Sequence, residues 1–293
     1  MSRGGSWSVI PVNIKGAVTR PAMNAPVGAT MPSGNGGRIS MNERLRDMVY
    51  GFAVGDALGV PFEFYPGGTF HCTGMVGYGT WGQPAGTWSD DTSMLLATCD
   101  SIRETGKINP NDMRKRFRRW AVHGEYTAGG EVFDIGSTTH RALWAGHGMK
   151  GIYDNGNGSL MRILPLAFVP HTKADIDAVS SITHAHKQSC LCCRTLVGVA
   201  ECMMTTGQIP DWRLAEVSPS GYVADTLNAA LYCLKNAHSY AETVLMAVNL
   251  GGDTDTIAAI SGGLAGILYG YDAIPTEWIK ILKNKELIER CLF

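Results

Sequence analysis

The sequence predicts an all-α fold: one compact multi-helix domain over residues 40–293, behind a flexible leader at 1–39. Three observations predict it. Apolar residues recur at three- and four-residue spacing along most of the chain. Helix-entry signatures and glycines bracket those runs. No series of alternating apolar and polar residues marks successive strands. Hydrophobic residues make up 45% and charged ones 17%, ample for a buried core. A net charge of -1 gives no global field toward nucleic acid or an anionic membrane. No apolar run reaches the roughly 18 residues of a membrane span. The N-terminus lacks the charged-then-apolar pattern of a signal peptide, so a cytoplasmic protein is expected. Eight cysteines in a chain this long are not a disulfide scaffold.

The elements follow in order. Residues 1–39 are rich in Gly, Pro, Ser and Asn and cannot bury enough apolar surface to offset chain ordering. They read as a tail, or alternatively as a lid over the active site. Ser40 and Glu43 then form a capping-box pattern, and Leu45, Met48, Val49, Phe52 and Ala53 follow at helical spacing. The glycine-dense stretch 62–87 reads as loop. Met94, Leu95 and Ile102 mark the next helix. Met113, Phe117, Trp120 and Ala121 mark another, with Arg114, Lys115, Arg116, Arg118 and Arg119 on its remaining positions. That basic face reads as solvated, with nucleic acid or an acidic partner as the alternative. Further helices are expected near 175–186, 188–206, 222–236, 240–249, 255–269 and 276–290, punctuated by Gly207, Gly251 and Gly270.

Two segments carry chemistry. One reads WSDDTSMLLA from Trp88, the other GGDTDTIAAISGGLAG from Gly251. Each sets two carboxylates and hydroxyl residues at the mouth of an apolar helix. Either alone reads equally well as a helix cap. Together they hold four carboxylates, and carboxylates brought together without a cation repel one another. Hard oxygen donors suit Mg²⁺ or Mn²⁺. His184, His186, Cys190, Cys192 and Cys193 hint at zinc instead, but C-x-C-C lacks the usual knuckle spacing, and core packing is the simpler account. Gly156, Asn157, Gly158 and Ser159 read as a glycine-rich turn entering a helix, a place that suits phosphate. Arg162 adds charge there or anchors the loop. Asp56, inside the first helix, reads as a buried hydrogen-bonding group between helices.

These residues also carry a family resemblance. GFAVGDALGVPFEF from Gly51, WSDDTSMLLA, FDIGSTTHRAL from Phe133, GNGSLMRILPLA from Gly156, THAH from Thr183 and NLGGDTDTIAAISGGLAG from Asn249 occur in family order over residues 41–293. The chain resembles the ADP-ribosylglycohydrolases, including the dinitrogenase-reductase-activating glycohydrolase type. The resemblance implies two divalent cations, Mg²⁺ or Mn²⁺, held by Ser89, Asp90, Asp91, Asp253, Asp255 and Thr256. It implies catalytic roles for Glu63, Asp91 and Asp255. It assigns the turn at Gly156, Asn157, Gly158 and Ser159 to the diphosphate of ADP-ribose and sets His184 beside the ligand. Asp134 becomes the local candidate to meet a guanidinium leaving group.

The expected function is metal-dependent removal of ADP-ribose from a modified protein, ADP-ribosyl-arginine first, with ADP-ribose as product. The alternatives are a non-catalytic ADP-ribose binder and an immunity protein that contacts an ADP-ribosylating toxin through its leader.

Overall fold

The computed structural model describes residues 40–213 and 215–293; the leader expected at 1–39 lies outside them. Ser40 caps the first helix as its pattern predicts: its hydroxyl accepts from the Glu43 amide and the Glu43 carboxylate accepts from the Ser40 amide at 2.7 Å. Eleven α-helices follow among the described residues: α1 Met41–Gly59, α2 Asp90–Thr105, α3 Pro110–His123, α4 Ser137–Ala145, α5 Lys173–Ser180, α6 Lys187–Thr206, α7 Val223–Asn236, α8 Tyr240–Asn249, α9 Thr254–Tyr269, α10 Thr276–Ile281 and α11 Lys285–Cys291. Among the described residues there is no β-strand, only four isolated bridges. None of the described helices is long and apolar enough to cross a membrane.

Helix α9 is the axis of the domain. It is buried all round from Thr254 to Ile267, as its uniformly small and apolar residues require. Helices α1, α7 and α8 pack against it. The α1–α9 crossing is close because glycines line it. A Cβ added at Gly51 would lie 2.3 Å from the Gly262 carbonyl, and one at Gly55 2.1 Å from the Ala258 carbonyl. At Gly59 it would meet the Asp255 Cα at 2.4 Å. Gly55→Ala is therefore expected to destabilise the protein by about 2 kcal/mol, backbone overlap outweighing the gain in helix propensity. Thermal unfolding of the variant tests this; an unchanged midpoint would mean that the two helices separate at no cost.

Several elements differ from expectation, each for a tertiary reason. The helix expected over 175–186 is α5, which ends at Ser180. The next residues pair with Met149 instead: its amide donates to the Thr183 carbonyl and its carbonyl accepts from the Ala185 amide, both at 2.8 Å. The helix expected over 276–290 splits into α10 and α11. The Lys283 amide turns out to Gly86 O at 3.0 Å, and Asn284 at φ 42° reaches Thr127 O at 3.2 Å. No α-helix follows the glycine-rich turn. Leu160–Arg162 and Leu164–Phe168 are short 3₁₀ turns, so no long helix aims its dipole at a ligand there. Of the two readings of Gly251, C-cap or turn, the turn holds, since the cap of α8 is Leu250. At φ 77° it lets the chain cross residues 65–67, where a Cβ would lie 2.3 Å from the Gly67 amide.

The basic face of α3 is partly neutralised, at two of its five basic residues. Arg116 is buried and paired with Asp100 and Asp112, and Arg119 pairs with Glu125 at 3.0 Å. Met113, Phe117 and Trp120 form its buried side, as the periodicity predicts.

Candidate active site

The N-termini of α2 and α9 meet at the C-terminal end of α1, so two acidic segments far apart in sequence converge. The Thr254 hydroxyl donates to Gly59 O at 2.8 Å, locking the start of α9 onto the end of α1. Thr256 Oγ1 lies 3.4 Å from Asp91 Oδ1, joining one segment to the other.

Capping explains only part of this acidity. On α2 the cap is Ser89, whose hydroxyl accepts from the Asp91 amide at 3.3 Å. Asp56 completes it from α1, accepting from the Ser89 amide at 2.9 Å, the Thr92 amide at 3.0 Å and the Thr92 hydroxyl at 2.6 Å. Asp56 is thus the interhelix hydrogen-bonding group its position predicted. The Asp90 and Asp91 carboxylates take no part in the cap. On α9, Asp253 stands at the N-cap position but makes no side-chain capping bond. Its Oδ2 accepts instead from Asn157 Nδ2 at 2.6 Å. Asp255 accepts only from the adjacent Thr256 amide at 2.9 Å.

The acids are packed in two groups. Asp56, Asp91 and Asp255 each offer a carboxylate oxygen within 4.8 Å of the others. Glu63, Asp134 and Asp255 do the same. Asp255 belongs to both. Burial first, and then mutual repulsion, raises their pKa values. Asp90, Asp91 and Asp255 are driven well above the carboxylate range. Glu63 rises to about 8 through burial and the charges of Asp134 and Asp253, although the Trp81 indole N–H donates to it. Asp134 rises to about 6 through burial and Asp253. Asp56 also reaches about 6 through burial, its hydrogen bonds holding it lower than its neighbours.

A cleft of about 260 Å³ opens beside these groups. Glu63, Asp90, Asp134, Asp253 and Thr256 line it, together with Gly156, Asn157, Gly158 and His184. The turn reaches the acids directly through Asn157. A Cβ on Gly158 would lie 2.8 Å from both His184 Cε1 and Thr139 Oγ1, so only glycine fits between them. Ser159 points away from the cleft: it is fully buried, takes the Ser180 hydroxyl at 3.0 Å and sits 3.4 Å from Cys193 Sγ. Its side chain lies behind the turn, so only its backbone could serve the phosphate role expected of this segment. Arg162 is buried too, bonded to Gly158 O and Val179 O, and anchors the loop. The zinc reading dissolves. His186 caps α6 through Nδ1, and the metal-sized groupings among the described residues contain carboxylates alone.

A family model described as ADP-ribosylglycohydrolase matches residues 38–213 and 198–292. The chain belongs to the ADP-ribosylglycohydrolase family. It is a glycosyl hydrolase. It is 32% identical over 281 residues to "ADP-ribosylarginine hydrolase Tri1" of Serratia proteamaculans, covering 84% of this chain and 77% of that protein. It is 34% identical to the protein of the same name from Pseudomonas putida, over 85% of this chain and 76% of that one. It is 30% identical to "ADP-ribosyl-[dinitrogen reductase] glycohydrolase" of Rhodospirillum rubrum, over 84% and 92%. A solved "ADP-ribosylglycohydrolase-related protein complex" chain superposes with a TM-score of 0.70 at 28% identity, covering 86% of this chain and 96% of that one.

As the acidic centre of an ADP-ribosylglycohydrolase, this donor set suits a divalent cation. Asp91 Oδ2 is buried and has no hydrogen-bond partner, a cost that a cation would remove. All donors are oxygens, the choice of Mg²⁺ and Mn²⁺. Reading the sequence alone misses Asp56 as a member of this set. Its signal was present: a carboxylate four positions after Phe52 and three after Ala53, on the buried stripe of α1. The Trp81–Glu63 and Asn157–Asp253 contacts had no such signal: the first closes an irregular loop on itself, and the second joins a loop to a distant segment.

Proposed function

We propose that this enzyme hydrolyses the N-glycosidic bond between an arginine side chain and the distal ribose of ADP-ribose, using two divalent cations. The observation that carries the reading is the pair of carboxylate groups that share Asp255, beside a cleft lined by Glu63, Asp134 and a glycine turn. Relatives named as ADP-ribosylarginine hydrolases, at 32% and 34% identity, support the arginine linkage. A pure ADP-ribose binder has no use for so many buried acids. Eight free cysteines support a reducing compartment, the cytoplasm.

Asp56, Asp91 and Asp255 would hold one cation, and Glu63, Asp134 and Asp255 the other, with Asp90, Asp253, Thr256 and Ser89 around them. Such a pair supplies Lewis acidity toward ribose oxygens and water. The chain does the rest. The C–N bond at the anomeric carbon breaks, water gives its hydroxyl to that carbon, and its proton goes to the departing guanidine nitrogen. Glu63 faces the cleft with its carboxyl held by Trp81, placed to position water or pass that proton. Asp134 offers the guanidinium an opposite charge. The turn at Gly156–Gly158 and the His184 ring hold the diphosphate end, which fixes the ribose over the acids.

The test is release of free ADP-ribose from arginine-, serine- and other-linked substrates with and without EDTA. Release from the arginine linkage alone, abolished by EDTA and restored by Mn²⁺ or Mg²⁺, is the expected pattern. Turnover that survives exhaustive chelation would end the cation assignment. Gly158→Val separates the two halves of the cleft. Its side chain must displace His184 and Thr139, so ADP-ribose binding weakens about tenfold or more while Mn²⁺ binding persists. Calorimetry with each ligand measures both; loss of Mn²⁺ with intact ADP-ribose affinity would reverse the assignment.

A further inference from the structure

Arg162 is the least expected group in this domain. Its guanidinium is 0% exposed. Among the described residues no carboxylate pairs with it. Its partners are neutral: Nε donates to Gly158 O at 3.2 Å, Nη1 to Val179 O at 3.1 Å and Nη2 to Thr183 Oγ1 at 2.8 Å. Its flat face lies 4.5 Å from the centre of the Phe117 ring. Burial lowers its pKa to about 9, still above neutrality. A buried cation with no counter-charge is costly, so its placement needs a reason.

The reason lies one bond further on. An arginine can only donate, so Thr183 Oγ1 must accept from Nη2. The Thr183 hydroxyl is itself fully buried, and its proton needs an acceptor. His184 Nδ1 stands 2.9 Å away. It accepts that proton, and a neutral imidazole that accepts at Nδ1 carries its own hydrogen on Nε2. Nε2 faces the glycine turn together with Cε1: a Cβ on Gly156 would lie 3.5 Å from Nε2, and one on Gly158 2.8 Å from Cε1 and 3.4 Å from Nε2. His184 itself lines the cleft.

We propose that Arg162 and Thr183 act as positioning residues that fix His184 in its Nε2–H tautomer, so that the ring presents a permanent hydrogen-bond donor to an anionic oxygen of ADP-ribose. This rests on the ADP-ribose reading above. The ring stays neutral throughout the working range, because burial first and the nearby Arg162 charge second push its pKa down to about 3. It thus donates without competing as a cation for the carboxylates that line the same cleft. Arg162 serves the same end twice, since its Nε also pins Gly158 O and with it the turn under the ring.

The experiment is two-bond ¹H–¹⁵N correlation spectroscopy of the full chain, with His184 assigned by His184→Gln, alongside ADP-ribose calorimetry. The wild-type ring is expected to show a protonated Nε2 and a bare Nδ1 at neutral pH. Thr183→Val keeps the shape and removes the hydroxyl. It should release the tautomer and weaken ADP-ribose binding roughly ten- to a hundredfold, as loss of one hydrogen bond to a charged group does. Thr183→Ser should restore both, which a merely structural role for the methyl would not allow. A wild-type ring protonated on Nδ1, or on both nitrogens, overturns the relay whatever substrate the enzyme cleaves. A released tautomer with unchanged ADP-ribose affinity overturns the donor role. The wild-type spectrum decides the first point even where Thr183→Val does not fold. Failure of the hydrolysis panel alone would strike the arginine assignment and leave the tautomer result standing.

Discussion

Asp255→Asn is expected to abolish hydrolysis while making the chelated protein more stable. The two effects have one cause. Asp255 is the carboxylate shared by both acid groups, so its loss weakens both proposed cation sites at once. Losing a group that merely supports a metal ligand costs about 10–100-fold, and a shared ligand should cost more. Without cations, however, the same charge is a liability. Asp255 is buried beside Glu63, Asp91, Asp253 and Asp134, which together with burial drive its pKa well up. Asparagine removes the charge and keeps an Oδ1 for the Thr256 amide. Asp56→Asn is the contrast. Asp56 accepts three hydrogen bonds on its two oxygens, and an amide nitrogen facing the Thr92 or Ser89 amide would meet a second donor. That variant should lose stability as well as turnover. ADP-ribose release and thermal midpoints in EDTA measure both. Asp255→Asn turnover within twofold of wild type would show that the acids serve the fold alone.

What could be read in advance, and what could not, divides along chain distance. The α1 entry was legible because Ser40 and Glu43 are three residues apart and each side chain bonds the other's amide. The α3 stripe was legible because Met113, Phe117 and Trp120 share one face. The acidic segments were legible as chemistry because four carboxylates exceed what two caps require. Partners supplied by the fold were not legible. Nothing in the residues around Asn157 announces Asp253, and nothing in the loop before α2 pairs Trp81 with Glu63. The two overlong helices failed for the same reason: Met149 takes the chain at Thr183–Ala185, and Gly86 and Thr127 take it at Lys283–Asn284. In GNGSLMR the composition cannot say which polar group faces the ligand. The fold turns Asn157 to the cleft and buries Ser159 and Arg162 behind it.

Without divalent cations the protein is expected to lose stability as pH rises from about 6.5 to 8, and to regain it when Mn²⁺ or Mg²⁺ is added. Glu63 has its pKa raised from 4.5 to about 8. Asp90, Asp91 and Asp255 are raised in the same direction. Over this range the folded protein holds protons that the unfolded chain has released, so each added pH unit favours unfolding. Below about 6.5 a second group works the other way. His184, depressed from 6.5 to about 3, stays neutral in the fold while the unfolded chain would bind a proton, so its contribution improves as pH rises toward 6.5. Asp56 and Asp134, raised from 3.8 to about 6, oppose it there. Above 6.5 the carboxylates act without that offset. Cations compete with the same protons, so their stabilising effect should grow with pH. The chelated and Mn²⁺-loaded melting curves should diverge from pH 6.5 to 8 by on the order of 5 °C. Glu63→Gln removes one of the titrating groups and should flatten the chelated curve. A chelated midpoint that rises across this range, or a Mn²⁺ shift equal at both ends of it, would mean that these acids are not the cation site.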